Sequence, residues 1–214
     1  MLRFNMSNYL TTQGRNGCLF LASLFLCYSA YGQHSINVLS EPFHKPVLQT
    51  EDLALIHLQM NKGDTSLFHS HKRPILYITI DGARMWLDEL NGNSRTVNLP
   101  DGWIGSDTYS LKNPFVHRIS VLDEGPLNLV AIIRKNESLK EDEYISDDFN
   151  LLENGFAVRK DSIPKSKTDG ARINIILSGT ATLDQNSLRP GDYFLPGQMP
   201  VNRSDNFQYC AVYF

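Results

Sequence analysis

The β-branched and aromatic run Ile75-Leu76-Tyr77-Ile78-Thr79-Ile80 stops at Asp81-Gly82, and Ala83-Arg84-Met85-Trp86-Leu87 follows at once. Such a run reads as a strand, and Asp-Gly is a tight-turn dipeptide, so the segment predicts a strand, a sharp turn and a return strand. The same plan recurs at Ile173-Asn174-Ile175-Ile176-Leu177-Ser178-Gly179-Thr180-Ala181-Thr182-Leu183. Leu99-Pro100-Asp101-Gly102-Trp103 is likewise echoed by Leu188-Arg189-Pro190-Gly191-Asp192. An internal duplication is therefore expected, with a shorter second copy. Leu53–Met60, Val116–Leu122 and Leu127–Ile133 also read as strands bounded by turn residues. Many short strands at close spacing predict an all-β sandwich or barrel.

The N-terminus follows a different rule. Arg3 and Arg15 precede an apolar run from Cys18 to Tyr28, with no acid before Glu41, and Ala30 and Gly32 give the small-x-small pattern of a cleavage site. Residues 1–32 are expected to be a signal peptide, and the mature protein to be secreted or periplasmic. The run falls short of the ~20 apolar residues of a spanning helix, so no integral membrane segment is expected after cleavage. Cys210 is then the one cysteine left, so no internal disulfide can form. A net charge of −3 lacks the basic footprint of a nucleic-acid binder. The acids between Glu137 and Glu153 predict a solvated linker or short helix over 136–156. The expected divisions are a 33–46 arm, a domain over 47–135 and a second half over 157–214.

Chemistry concentrates at Gly63-Asp64-Thr65-Ser66-Leu67-Phe68-His69-Ser70-His71. Residues i and i+2 of a strand share a face, so His69 and His71 can offer two imidazoles to one ion. A single strand histidine is more often structural than ligating. The same parity puts Ile75, Tyr77 and Thr79 on the inner face, where Tyr77 can touch a ligand or simply pack. His57 would face the pocket in one strand register and face outward in the other. His34 and His44 read as surface residues. Arg84 reads as an exposed strand residue, and Trp86 and Trp103 as packing between sheets, with a pocket mouth as the alternative for all three. Cys210 has no histidine partner at a known spacing, and no Gly-rich phosphate loop, Cys-x-x-Cys pair or nucleophile elbow is present.

These residues resemble the cupin superfamily. Its first motif is a Gly, five residues, His-x-His, three or four residues, a Glu, six residues and a Gly. Gly63, His69, His71 and Gly82 match, but Ile75 stands at the Glu position. His117 fits the histidine of the second motif, although Pro114 replaces its usual Gly. Gly191-Asp192-Tyr193-Phe194-Leu195-Pro196 looks like a second-motif segment with Val201 where the histidine would stand, and Asp161–Lys165 has no His-x-His. The resemblance implies a duplicated jelly-roll β-barrel whose second copy is degenerate.

The resemblance also implies a divalent transition metal (Fe(II), Zn, Ni, Cu or Mn) held by His69, His71 and His117 without the usual carboxylate, with Tyr77 and His57 as candidates for cofactor or ligand contact. A three-histidine site is similar to that of thiol dioxygenases, so an exported cupin that binds or converts a small molecule, with oxygenase-like chemistry, is one expectation. The other is a non-catalytic, sugar-type binding protein with a vestigial metal site. Strand-exchange homodimers are common in that superfamily.

Overall fold

Strand character follows from the residues. Leu53–Met60, Ile75–Asp81 and Leu127–Arg134 are near-continuous apolar runs, and each becomes a strand buried on both faces. Ala83–Glu89 instead alternates, with Ala83, Met85 and Leu87 buried and Arg84 and Trp86 exposed, as expected for a strand covered on one face. The computed structural model describes residues 34–136, 149–161 and 171–214. The expected signal peptide and most of the expected acidic linker lie outside the described residues. All described residues except His34 fall within one compact unit, Ser35–Phe214.

The first sheet has the order β1 (Ile36–Asn37), β4 (His69–His71), β9 (Phe115–Val121), β6 (Ala83–Glu89) and β7 (Ser94–Leu99). The second has β2 (His44–Gln49), β3 (Leu53–Met60), β10 (Leu127–Arg134), β5 (Ile75–Asp81) and β8 (Ile104–Asp107). Ala54, Ile56, Leu58, Ile75, Met85, Leu87, Ile119, Val121, Leu129 and Ala131 form the core that joins these two sheets.

A third sheet has the order β11 (Leu151–Glu153), β12 (Phe156–Asp161), β17 (Gln208–Tyr213), β13 (Ile173–Ser178) and β16 (Tyr193–Phe194). Its Phe156, Val158, Ile173, Ile175 and Val212 pack on Leu55, Leu76, Ile78, Val130 and Ile132 of the second sheet. The opposite face of the third sheet packs with Ala181 of β14 (Ala181–Leu183), which pairs with β15 (Asn186–Leu188). The second sheet is therefore an inner layer. This is why β10 is buried along its whole length and shows no alternation.

The duplication is visible as topology. The order β2-β3-β10-β5-β8 is repeated, strand for strand in chain order, by β11-β12-β17-β13-β16. In each copy the strand before the Gly turn lies in one sheet and the strand after it in another, at β5 to β6 and at β13 to β14. Gly82 is required at its turn by close approach: a Cβ there would lie 2.1 Å from the carbonyl oxygen of Leu99. In the second copy Val201 forms only an isolated bridge to Thr182. The segment over 136–156, expected to be linker or helix, differs in its last residues. Leu151–Glu153 pairs with β12 as strand β11, because its backbone meets an open sheet edge.

Candidate metal centre

β4 and β9 pair antiparallel with His69 opposite His117 and His71 opposite Phe115. Register and parity thus carry the three histidines to one face of two adjacent strands. Their rings lie 4.6, 4.9 and 5.0 Å apart, centroid to centroid. One nitrogen from each falls within 4.8 Å of the others, and all three residues are buried.

The hydrogen bonding suits a metal. His69 Nδ1 lies 2.9 Å from the carbonyl oxygen of Leu67 and donates to it, which leaves the Nε2 lone pair free. His69 Nε2, both ring nitrogens of His71 and His117 Nδ1 are buried without a hydrogen-bond partner. Buried polar atoms are normally satisfied, so such a concentration in one place calls for a ligand. A divalent ion would accept one lone pair from each of the three rings, and neutral imidazole suits Zn, Cu, Fe and Ni. Burial, then the charge of His44, lowers the His69 pKa to about 4. Burial first, then neighbouring histidines, pushes His71 and His117 well below the usual value. All three imidazoles are therefore neutral at neutral pH and ready to ligate.

Ile75 is fully buried among apolar residues of the core, so the position where cupins usually place a Glu supplies no charge. Tyr77, also on the inner face, places its ring 6.4 Å from that of His71. Tyr109 lies near Tyr77 and donates to Asp107 at 2.9 Å. Burial, then the Tyr109 and Asp107 charges, raises the Tyr77 pKa, so the phenol stays a neutral donor. Tyr109 stacks on Phe115, whose ring meets His117 edge-on at 4.6 Å. A cavity of 190 Å³ opens beside His71. Val38, Leu39, Ala54 and Ile133 line its apolar part, and Lys72, Arg73 and Lys135 line its polar part, with no acid among the lining residues.

Other candidates lie elsewhere. His57 is on the opposite face of β3 from Ile56 and Leu58, turned toward the second copy. Its Nε2 is 2.6 Å from Asn128 Oδ1, and a Cβ on Gly191 would come within 3.2 Å of that nitrogen. Trp86 and Trp103 are both exposed rather than packed between sheets; the Trp86 indole donates to Asp88 at 2.7 Å. Arg84 is exposed beside Asp123, as expected. His44 corrects its sequence reading as a surface residue. It is buried, its ring lies 4.4 Å from His69, and its Nδ1 is 2.6 Å from the buried carboxylate of Glu41. Sequence reasoning also missed Tyr109 and Glu41. Tyr109 sits in a loop, and Glu41 precedes the first long strand, so neither stands in a spaced motif.

No family model and no curated protein matches this chain. Solved structures do. A cupin domain from Bordetella pertussis is 14% identical, covering 49% of this chain and 100% of that one, with a TM-score of 0.39. A cupin 2 conserved barrel domain protein from Leptotrichia buccalis is 12% identical, over 79% of this chain and 86% of that one, at 0.42. Bacillus subtilis oxalate decarboxylase, described with Mn(II) centres, is 11% identical, over 77% of this chain and 69% of that one, at 0.45. By its own sheet order the chain has a duplicated all-β fold, with the five-strand order of the second sheet repeated in the third and three histidines gathered on β4 and β9 of the first.

Proposed function

We propose that this chain is an exported cupin-fold protein that holds one divalent transition metal with His69, His71 and His117 and binds or converts a small molecule beside it. The observation that carries this reading is the group of buried imidazole nitrogens that converge without hydrogen-bond partners. A bound ion would supply Lewis-acid or redox chemistry. His69, His71 and His117 would hold it as neutral donors. Tyr77 would offer its phenol O–H to a ligand on the His71 side, and Tyr109, whose O–H is held by Asp107, could only accept. The cations lining the cavity beside His71 favour a small molecule with an acidic group, its apolar part against Val38, Ala54 and Ile133. The export part of the proposal rests on the sequence of residues 1–32 alone.

The second reading is a binding protein whose metal site is vestigial, and Ile75 favours it, since an uncharged ligand set attracts a cation less. Metal analysis of tag-free protein separates the two. About one equivalent of transition metal, lost in His69→Ala, is expected; less than about a tenth of an equivalent, unchanged by that substitution, overturns the metal reading. Oxygen uptake across a panel of thiols, flavonoids and organic acids then tests for conversion, and silence there leaves binding as the function. Calorimetry with short carboxylic acids and their matched amides tests the ligand class. Acids should bind at least about ten times more tightly than their amides, and equal binding would sink that assignment. Strand-exchange dimerisation remains part of the proposal, and a monomeric mass by light scattering would remove it.

A further inference from the structure

The three histidines carry no negative charge, yet a buried carboxylate stands one layer behind them. The short 3-10 turn Val38–Ser40 ends at Glu41, which is only 2% exposed. Glu41 Oε2 accepts from the backbone N–H of Phe43 at 2.8 Å, from that of His44 at 3.1 Å and from His44 Nδ1 at 2.6 Å. Its other oxygen, Oε1, accepts from the backbone N–H of Leu67 at 3.1 Å. The far side of this residue completes the connection, because the Leu67 carbonyl oxygen accepts from His69 Nδ1 at 2.9 Å. A second route runs through His44, whose ring packs 4.4 Å from the His69 ring. One carboxylate therefore fixes both neighbours that orient His69.

We propose that Glu41 is the anionic positioning residue of this metal centre, supplying from outside the ligand set the negative charge absent at Ile75 and acting on His69 through His44 and by fixing the Leu67 backbone. The proposal rests on the metal reading above. Ionisation is favoured where a carboxylate accepts several N–H bonds, and Glu41 accepts three from the backbone and one from an imidazole. A buried anion within one residue of a ligand offsets the cation's charge and raises the basicity of the ligand it orients. The burial is hard to explain otherwise. Carboxylates are rarely buried unless paired, and the partner here is an imidazole that lies against the metal ligands.

The test is Zn(II) affinity by competition with a chromophoric chelator, together with the visible spectrum of the Co(II)-loaded protein. Both are measured on the full chain for wild type, Glu41→Gln, Glu41→Asp, His44→Gln and His69→Ala. Glu41→Gln and His44→Gln should still bind about one equivalent but with a Kd raised roughly 10–100-fold and an altered Co(II) spectrum, and Glu41→Asp should recover part of the loss. If both Gln variants keep Kd within about twofold of wild type and leave the Co(II) spectrum unchanged, Glu41 has no such role. Wild type that binds Zn(II) while those variants match it overturns this inference alone. Wild type that binds no metal, with His69→Ala indistinguishable from it, overturns the metal reading and this inference with it. Should Glu41→Gln fail to fold, His44→Gln, which keeps the carboxylate and its backbone bonds, decides the matter by the same two measurements.

Discussion

His69 shows how one residue couples stability to pH. In the folded protein its pKa is lowered to about 4 by burial and then by His44, against an ordinary histidine value of 6.5. Between those values the unfolded chain takes up a proton that the folded chain refuses. The stability contributed by neutral His69 is therefore fully present above about pH 6.5 and is lost as pH falls toward about 4. His71 and His117 are shifted the same way by burial and by their neighbours. For the metal-free protein we expect the urea midpoint to fall steeply from pH 6.5 to 4, with a shallower fall in His69→Gln. A flat wild-type profile would contradict the buried, neutral cluster. The buried thiol of Cys210, by contrast, is pushed up to about 12 by burial, and it should resist alkylation by iodoacetamide at pH 8 until the protein is unfolded.

At the scale of elements, the β5–β6 turn is the tightest local requirement. Gly82 lies where the chain passes from the second sheet to the first, and its N–H donates to Asp101 Oδ1 at 2.7 Å. Any side chain there meets the backbone at Leu99 and Pro100, which cannot move aside as a flexible side chain would. Gly82→Ala should cost about 3 kcal/mol or more by urea unfolding, beyond the range of ordinary surface changes. Gly125→Ala serves as the control, since a Cβ there meets nothing within 4 Å. The strands themselves were legible in the sequence. Leu53–Met60 and Ile75–Ile80 are strands as read, and the runs over Val116–Leu122 and Leu127–Ile133 differ from β9 and β10 by a residue at their ends. Of the site, the sequence showed the three histidines, because parity on a strand is a local property. Glu41 and His44 were invisible, because their value depends on a contact with Leu67 and His69 some 26 residues away in the chain. His57 was undecidable by spacing, since a near-continuous apolar strand gives no polar face to count from.

At the scale of the molecule, the second sheet is shared: one face belongs to the core of the first copy and the other to the core between copies. Polar contacts add to the join, with Arg134 donating to the Gly155 carbonyl at 2.9 Å and Ser106 to Glu153. The two copies should therefore unfold together. Both tryptophans lie in the first copy, whereas far-ultraviolet circular dichroism reports on every strand. The two probes should give coincident transitions, and separated ones would show that the copies are independent. Ile132→Ala, which empties a fully buried position between the copies, should lower stability by about 2–5 kcal/mol in that single transition. The sequence by itself determined the all-β class, the duplication and the three candidate ligands, because strand propensity, turn chemistry and side-chain alternation act over a few residues. The tertiary structure alone decided which runs are buried on both faces, where His57 points, and that Glu41 and His44 stand behind His69. Those outcomes depend on which surfaces meet, and only the packing of distant segments sets that.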